Sequence, residues 1–292
     1  MLCYDGDLKD LKRQGVAAEE KFDGSRVKIV KKNGQVTLIN RHGIDYTHRL
    51  TELVDAAKAI KGDFTIDTEA TYINPVTKEV EFTPSQRRCS TQDWAKQYAL
   101  RRQYPITAEA FDVLELYGLD VTKQPYLARK KLLFELLEDA PPEIQYTSYT
   151  FELEKAWEDV LRRGTEGLIL KDINSAYEYD RSYSWLKLKN WRYEVCNVVG
   201  YTPGKNARSA FFGSLVLARN GKFVGCAGSG PNDWELRQLK DKFTDAKRIS
   251  PPFDIGEPYT ALDIKLQVVI KFYKHTEANK VMRFPVFDHI VS

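Results

Sequence analysis

Two Asn-Gly pairs, Asn33-Gly34 and Asn220-Gly221, constrain this chain more than any other feature. Such a dipeptide accepts the left-handed backbone that a two-residue β-hairpin turn demands. Arg26-Val-Lys-Ile-Val-Lys-Lys32 and Gln35-Val-Thr-Leu-Ile-Asn40 alternate apolar and polar residues around the first pair, so they read as partnered strands, with Val16 to Phe22 as a neighbouring strand. A helical pattern at about 48 to 60 leads into a strand from Phe64 to Tyr72 and then a polar helix between about 85 and 103. Further strands are expected at 106 to 114 and 166 to 171, with helices near 126 to 138 and 151 to 163. After Asn190 the texture changes to short strands with Gly and Pro turns, one helix at about 232 to 245, and strands near 263 to 273. The expected fold class is therefore α+β over residues 1–190, then a small β-barrel over residues 191–292, hinged at Lys189-Asn190-Trp191-Arg192.

At 292 residues the chain exceeds the usual single-domain size, which suits two domains. Its 44 basic and 41 acidic residues nearly balance, so bulk charge alone predicts no nucleic-acid partner. No apolar run approaches the roughly 20 residues of a membrane helix, so no membrane role is expected. The start, Met1 to Asp7, has neither the basic nor the apolar stretch of a secretory signal, giving a cytoplasmic expectation. Cys3, Cys89, Cys196 and Cys226 form no C-x-x-C pair and are expected as reduced thiols.

Lys21-Phe-Asp-Gly-Ser-Arg26 places a lysine at a strand end before a tight turn, either at the mouth of a pocket or simply in solvent. Glu19, two residues earlier, shares its strand face and offers an acceptor for an exocyclic base amine. Asp67 and Glu69 share a face of their own strand, suited to ribose or metal contact or equally to an exposed sheet surface. Glu166 enters the apolar strand ending at Lys171, as a magnesium ligand would; the odd spacing of Lys171 turns it away and suggests a structural salt bridge. Lys187 and Lys189 lie with Trp185 on one strand face, opposite Leu186 and Leu188, as a phosphate clamp would.

Taken in order, Lys21-Phe-Asp-Gly-Ser-Arg26, Asp67-Thr-Glu69, Ala110-Phe-Asp-Val113, Glu166-Gly-Leu-Ile-Leu-Lys171 and Trp185-Leu-Lys-Leu-Lys189 resemble the motifs of covalent nucleotidyltransferases, specifically ATP-dependent DNA ligases. Gly200 to Arg208, Phe212-Gly-Ser-Leu215 and Gly225 to Gly230 resemble the OB-domain of bacterial and archaeal repair ligases, including end-joining types, a subgroup that Tyr177 and Arg181 also fit.

The resemblance implies a nucleotidyltransferase (adenylation) domain with antiparallel sheets and flanking helices, followed by an OB-fold β-barrel. It implies an ATP-dependent DNA ligase that seals 5′-phosphate/3′-hydroxyl nicks in double-stranded DNA through a lysyl-AMP and a DNA-adenylate, as a monomer in repair, with magnesium. The alternatives are an RNA ligase or capping-type nucleotidyltransferase, or a DNA-binding module without turnover. Lys21 would attack the α-phosphate; Glu19 and Phe111 would hold adenine; Arg26, Arg41 and Glu69 would surround ribose and phosphate. Glu69 and Glu166 would hold magnesium, and Lys187 and Lys189 the α-phosphate. Burial and the neighbouring cations Arg26, Lys187 and Lys189 are expected to favour neutral Lys21, with Glu19 opposing them.

Met282-Arg-Phe-Pro-Val-Phe287 resembles the start of the last ligase motif, but Val291 stands where the family carries an arginine for the pyrophosphate, which marks lysyl-AMP formation as the weaker step. Twenty residues precede Lys21, so DNA grip is expected from the two domains alone. Lys205, Arg208 and Lys222, with Arg87, Arg88, Arg101 and Arg102, read either as backbone-phosphate contacts or as solvated charge.

Overall fold

The computed structural model describes residues 1–276 and 280–291. The chain divides into two compact units, Met1–Asn190 and Trp191–Ser292. Unit 1 runs β1 (Leu2–Asp5), β2 (Val16–Glu20), β3 (Ser25–Lys32), β4 (Gln35–Asn40), α1 (Thr51–Ala59), β5 (Phe64–Thr71), α2 (Phe82–Ser90) and α3 (Trp94–Gln103). It continues through β6 (Thr107–Leu116), β7 (Leu119–Asp120), α4 (Tyr126–Leu137), β8 (Ile144–Tyr146), β9 (Tyr149–Thr150), α5 (Leu153–Arg163), β10 (Gly167–Asp172) and β11 (Arg181–Lys189). Among the described residues the fold is mixed α+β, antiparallel except where β1 pairs with β11 and β6 with β8.

Two sheets build unit 1. One has the order β1-β11-β10-β2-β9, the other β4-β3-β5-β6-β7 with β8 also on β6. The hairpin at Asn33-Gly34 forms as its turn chemistry requires, with Asn33 at φ 51 and Gly34 at φ 75. The strand before it is a neighbour in sequence but not in space: β2 pairs with β10 and β9 in the other sheet, because the Asp23-Gly24 turn carries the chain across. Each sheet buries one apolar face. Val27, Ile29, Leu38, Ile66 and Val113 pack with Leu53 of α1 and Leu133 of α4, while Ala18, Leu168, Leu170, Leu186 and Leu188 pack with Leu153 and Val160 of α5. The period of two that aims these residues inward aims the charged residues of the same strands at the space between the sheets.

The polar helix read over 85 to 103 is two helices. Asp93 accepts a hydrogen bond from the Lys96 amide at 3.0 Å and so caps a new helix, α3. Arg88 does not face solvent: it is fully buried, and its five N–H groups donate to Glu52, Gln97 and the carbonyls of Arg49 and Tyr104. Arg101 is engaged with Asp55 and Thr51. Of those four arginines, Arg87 and Arg102 are exposed.

Unit 2 runs β12 (Arg192–Pro203), β13 (Phe212–Arg219), β14 (Lys222–Ala227), α6 (Asp233–Asp245), β15 (Lys247–Ile249), β16 (Thr260–Asp263), β17 (Gln267–Phe272) and β18 (Val286–Ile290). The long β12 pairs through residues 192–197 with β17, through 197–203 with β13, and at Gly200 and Tyr201 with β16. A side chain at Gly200 would place its Cβ 2.2 Å from the Thr260 carbonyl oxygen, so only glycine permits this bend. Asn232 and Glu235 form a reciprocal capping box that starts α6. Lys205 and Lys222 are exposed, whereas Arg208 donates to the carbonyls of Gly213 and Gly228 in its own unit. No helix among the described residues is long and apolar enough to cross a membrane.

The Arg88–Glu52 pair generates a stability prediction. Glu52→Gln strands a fully buried guanidinium opposite a neutral partner and is expected to cost about 3–5 kcal/mol, read from the urea unfolding midpoint. An Arg87→Gln control is expected to stay within about 0.5 kcal/mol of the parent.

Candidate active site

Lys21 stands one residue past β2, where its amide donates to the Gly167 carbonyl at 2.9 Å. Gly24 lets the following turn lie against β5, because a Cβ there would come 2.4 Å from the Ala70 carbonyl oxygen. Lys21 Nζ is 2.5 Å from Glu166 Oε1. Glu166 sits just before β10, its carbonyl accepting from the Asn190 amide at 2.9 Å. Its other carboxylate oxygen, Oε2, is buried with no hydrogen-bond partner among the described residues.

This pair reverses the protonation expected of Lys21. Burial does favour neutral Lys21, but the charge and hydrogen bond of Glu166, with Glu69 and Asp23 beyond, outweigh it and hold the ammonium above its ordinary range. Glu166 in turn is pushed up by burial against the opposing charge of Lys21.

Glu69 lies opposite Arg26 in the β3–β5 register. Burial pushes its carboxyl up to about 8, with Lys21 pulling against it and Glu166 adding to it. Arg26 is committed inside the protein: Nε and Nη2 reach the two oxygens of Asp67 at 3.0 and 2.6 Å, and Nη2 reaches the Tyr177 hydroxyl at 3.0 Å. Tyr177 itself donates to Asp67 at 2.6 Å. Of the two carboxylates on β5, Asp67 thus anchors Arg26, and Glu69 lies near Lys21 and Glu166.

Farther along the same face, Glu19 is buried and accepts from the Tyr126 hydroxyl at 2.6 Å, Lys130 Nζ at 2.9 Å and Lys171 Nζ at 2.5 Å. Lys171 Nζ also lies 4.0 Å from the Trp185 ring centre and 4.9 Å from that of Phe111. Lys171 is therefore a member of the site. The odd spacing from Glu166 misplaced it because Glu166 precedes the strand and Gly167, at φ 147, breaks the alternation between them. Lys130 and Tyr126 on α4 carried no sequence signal of their own, since this helix buries Arg129 and Lys130 together with Leu133 and Leu137 and so shows no clean apolar stripe that would mark its inward face.

The strand registers finish the layout. Glu19, Ile169 and Lys187 form one rung across the sheet, and Gly167 and Lys189 another. Lys187 is 3.3 Å from Asp5, and Lys189 is lowered by burial together with the charge of Lys21. Arg41 stands apart: it is exposed on the turn after β4, with Nε 2.9 Å from Nε2 of His42.

The chain belongs to the ATP-dependent DNA ligase domain family, whose model matches residues 4–189. A probable DNA ligase of Dictyoglomus turgidum is 29% identical over 94% of this chain and 50% of its own length. DNA ligase 2 of Korarchaeum cryptofilum is 32% identical over 80% of this chain and 42% of its own. The multifunctional non-homologous end joining protein LigD of Mycolicibacterium smegmatis is 29% identical over 88% of this chain and 33% of its own. The chain spans about half the length of the first of these relatives or less. Among solved structures, a Lig E DNA ligase has a TM-score of 0.70 at 22% identity, covering all of this chain and 98% of its own. A mycobacterial DNA ligase D complexed with ATP and MES has 0.58 at 23%, covering all of this chain and 94% of its own. Both likenesses concern the fold.

Because Glu69 is raised in the folded state, its contribution is fully present below the ordinary carboxyl pKa and is lost as pH climbs toward 8. Glu69→Gln is expected to flatten the stability profile between about pH 4.5 and 8, and to raise the thermal midpoint at pH 8 by about 2–4 °C in metal-free buffer. Scanning calorimetry across that range checks it; an unchanged slope would show that Glu69 is ionised throughout.

Proposed function

We propose that this chain is an ATP-dependent DNA ligase, sealing 5′-phosphate/3′-hydroxyl nicks in duplex DNA through AMP carried on Lys21. The observation that carries the reading is the Lys21–Glu166 pair at 2.5 Å, with Glu69 and Lys189 close enough to perturb or be perturbed by it. Membership of the ligase domain family supports the choice of substrate. The LigD relative, named for non-homologous end joining, supports a place in repair.

In this reading Met1–Asn190 is the adenylation domain and Trp191–Ser292 an OB-fold. The OB reading draws support from the bent first strand β12, shared by β13, β16 and β17, and from α6 between β14 and β15.

Glu69 and Glu166 fit a magnesium ion. Glu166 Oε2 is buried without a partner, and Glu69 retains a proton up to about pH 8 that a cation would displace. Among the described residues no group of three or more His, Cys, Asp or Glu is placed to hold a metal, which suits an ion that binds through one or two carboxylates, waters and substrate phosphates. Held by Glu69 and Glu166, magnesium would supply positive charge beside Lys21 and the phosphate oxygens.

As the nucleotide fills the site Lys21 loses its proton to solvent, and the freed Nζ attacks the α-phosphorus of ATP; an N–P bond forms as the bond to pyrophosphate breaks. Lys187 and Lys189 stabilise charge on the α-phosphate oxygens. A 5′-phosphate oxygen of the nick then attacks the same phosphorus and returns the electron pair to Lys21, and the 3′-hydroxyl finally displaces AMP. Phe111 stacks on the base and Glu19 accepts from it. Arg26, held by Asp67, borders the ribose and phosphate, whereas Arg41, on its exposed turn, is assigned to backbone phosphate.

The test is incubation with ATP labelled at the α-phosphate, followed by nicked DNA or nicked RNA. Label is expected on the protein, absent from Lys21→Ala, and chased by nicked DNA with sealing. Label from GTP instead, sealing confined to RNA, or an unaltered Lys21→Ala protein would sink the assignment.

A further inference from the structure

Among the carboxyl groups of unit 1 that lie between its sheets, Glu69, Glu109 and Glu19 differ in the direction in which their surroundings push them. Burial pushes Glu69 up to about 8 and Glu109, opposite it in the β5–β6 register, up to about 7. Glu19 is also buried, but the charges of Lys130 and Lys171 overcome that burial and hold its carboxyl below its ordinary range. Both lysines are 1% exposed. One would neutralise Glu19; the second leaves the buried group with net positive charge, an expensive arrangement if fold stability were its only purpose.

The geometry gives the surplus lysine a task. A carboxylate offers about four acceptor positions. Tyr126 and Lys130 occupy Oε1, and Lys171 takes one position on Oε2, which leaves a single vacancy on Oε2. Lys130 is pinned from behind by the Thr147 carbonyl at 2.5 Å. Lys171 also donates to the Phe111 carbonyl at 3.2 Å, so one ammonium ties the acceptor to the aromatic residue that stacks on the base. A protonated carboxyl can donate as well as accept and would tolerate either a 6-amino or a 6-oxo purine; an ionised one can only accept.

We propose that Lys130 and Lys171 are positioning residues that make nucleotide selection depend on the 6-amino group of adenine, by fixing Glu19 as an acceptor-only carboxylate with its free Oε2 position toward the base. The inference rests on the ligase reading above and adds to it two residues that act through Glu19. The titratable groups facing Glu19 are Tyr126 and Lys130 of α4, Lys171 of β10, Tyr146 of β8, and Tyr149 opposite it on β9.

The experiment compares ATP with inosine triphosphate, which carries a 6-oxo group on the same ring framework, as donors of nucleotide to Lys21 in the full chain. The wild type is expected to prefer ATP, with a ratio of kcat/KM values that is constant between pH 5 and 8. Lys130→Met and Lys171→Met are each expected to lower that ratio at least about tenfold, chiefly through KM for ATP, and to make it rise with pH as Glu19 regains its charge. A ratio unchanged in both variants while both nucleotides slow together would overturn the proposal and leave the lysines as structural. Should the variants fail to fold, the wild-type profile decides alone: equal use of the two nucleotides, or a preference that fades as pH falls through the carboxyl range, overturns it. A wild type that takes neither nucleotide onto Lys21 would instead bring down the ligase reading, and this inference with it.

Discussion

Charge enclosed between two sheets is the constraint around which unit 1 is organised. Each sheet gives its apolar face to its own helices, so the faces left over meet, and their charged residues must find partners or water. Arg129 and Asp112, both fully buried, pair at 2.8 Å; Arg26 pairs with Asp67 across β3 and β5; Lys130 and Lys171 enclose Glu19. These pairs are a doubtful source of net stability, since desolvation offsets much of their attraction, but breaking any one leaves an uncompensated charge. Their service is to hold side chains at fixed positions between the sheets. Glu166 Oε2 and Glu69 are the exceptions that suit a cation.

Much of this was legible in the sequence, because strand periodicity is local. Alternation in Asp67-Thr-Glu69 and in Trp185-Leu-Lys-Leu-Lys189 assigns faces without knowledge of the fold, and the Asn-Gly turns announce both hairpins. What escaped depends on contacts distant in sequence. Which sheet receives β2 depends on where the Asp23-Gly24 turn sends the chain. Arg88 looked like a surface cation because nothing near it reveals Glu52, 36 residues away, as its partner. Lys130 is legible only once α4 is known to lie over Glu19. The salt bridge expected of Lys171 forms, with Glu19, but its strand face does not follow from its spacing to Glu166, because a local rule is applied there across a glycine that suspends it.

The protonation of Lys21 shows the same limit in electrostatic form. Counting nearby cations predicts a lowered pKa, but Glu166 at 2.5 Å outweighs cations spread over the cleft. Coulomb interactions fall with distance while the strand pattern gives only direction, so sequence identifies who faces the nucleophile better than who dominates it. The pair also favours the ammonium form of Lys21.

The backbone bond between the Glu166 carbonyl and the Asn190 amide has a structural meaning. Asn190 is the last residue of the first unit, and its side chain also holds the Thr165 carbonyl at 3.2 Å. The last residue of unit 1 is therefore tied by its backbone to the residue that pairs with Lys21. A single backbone hydrogen bond thus separates the chain's exit from unit 1 from the carboxyl partner of Lys21.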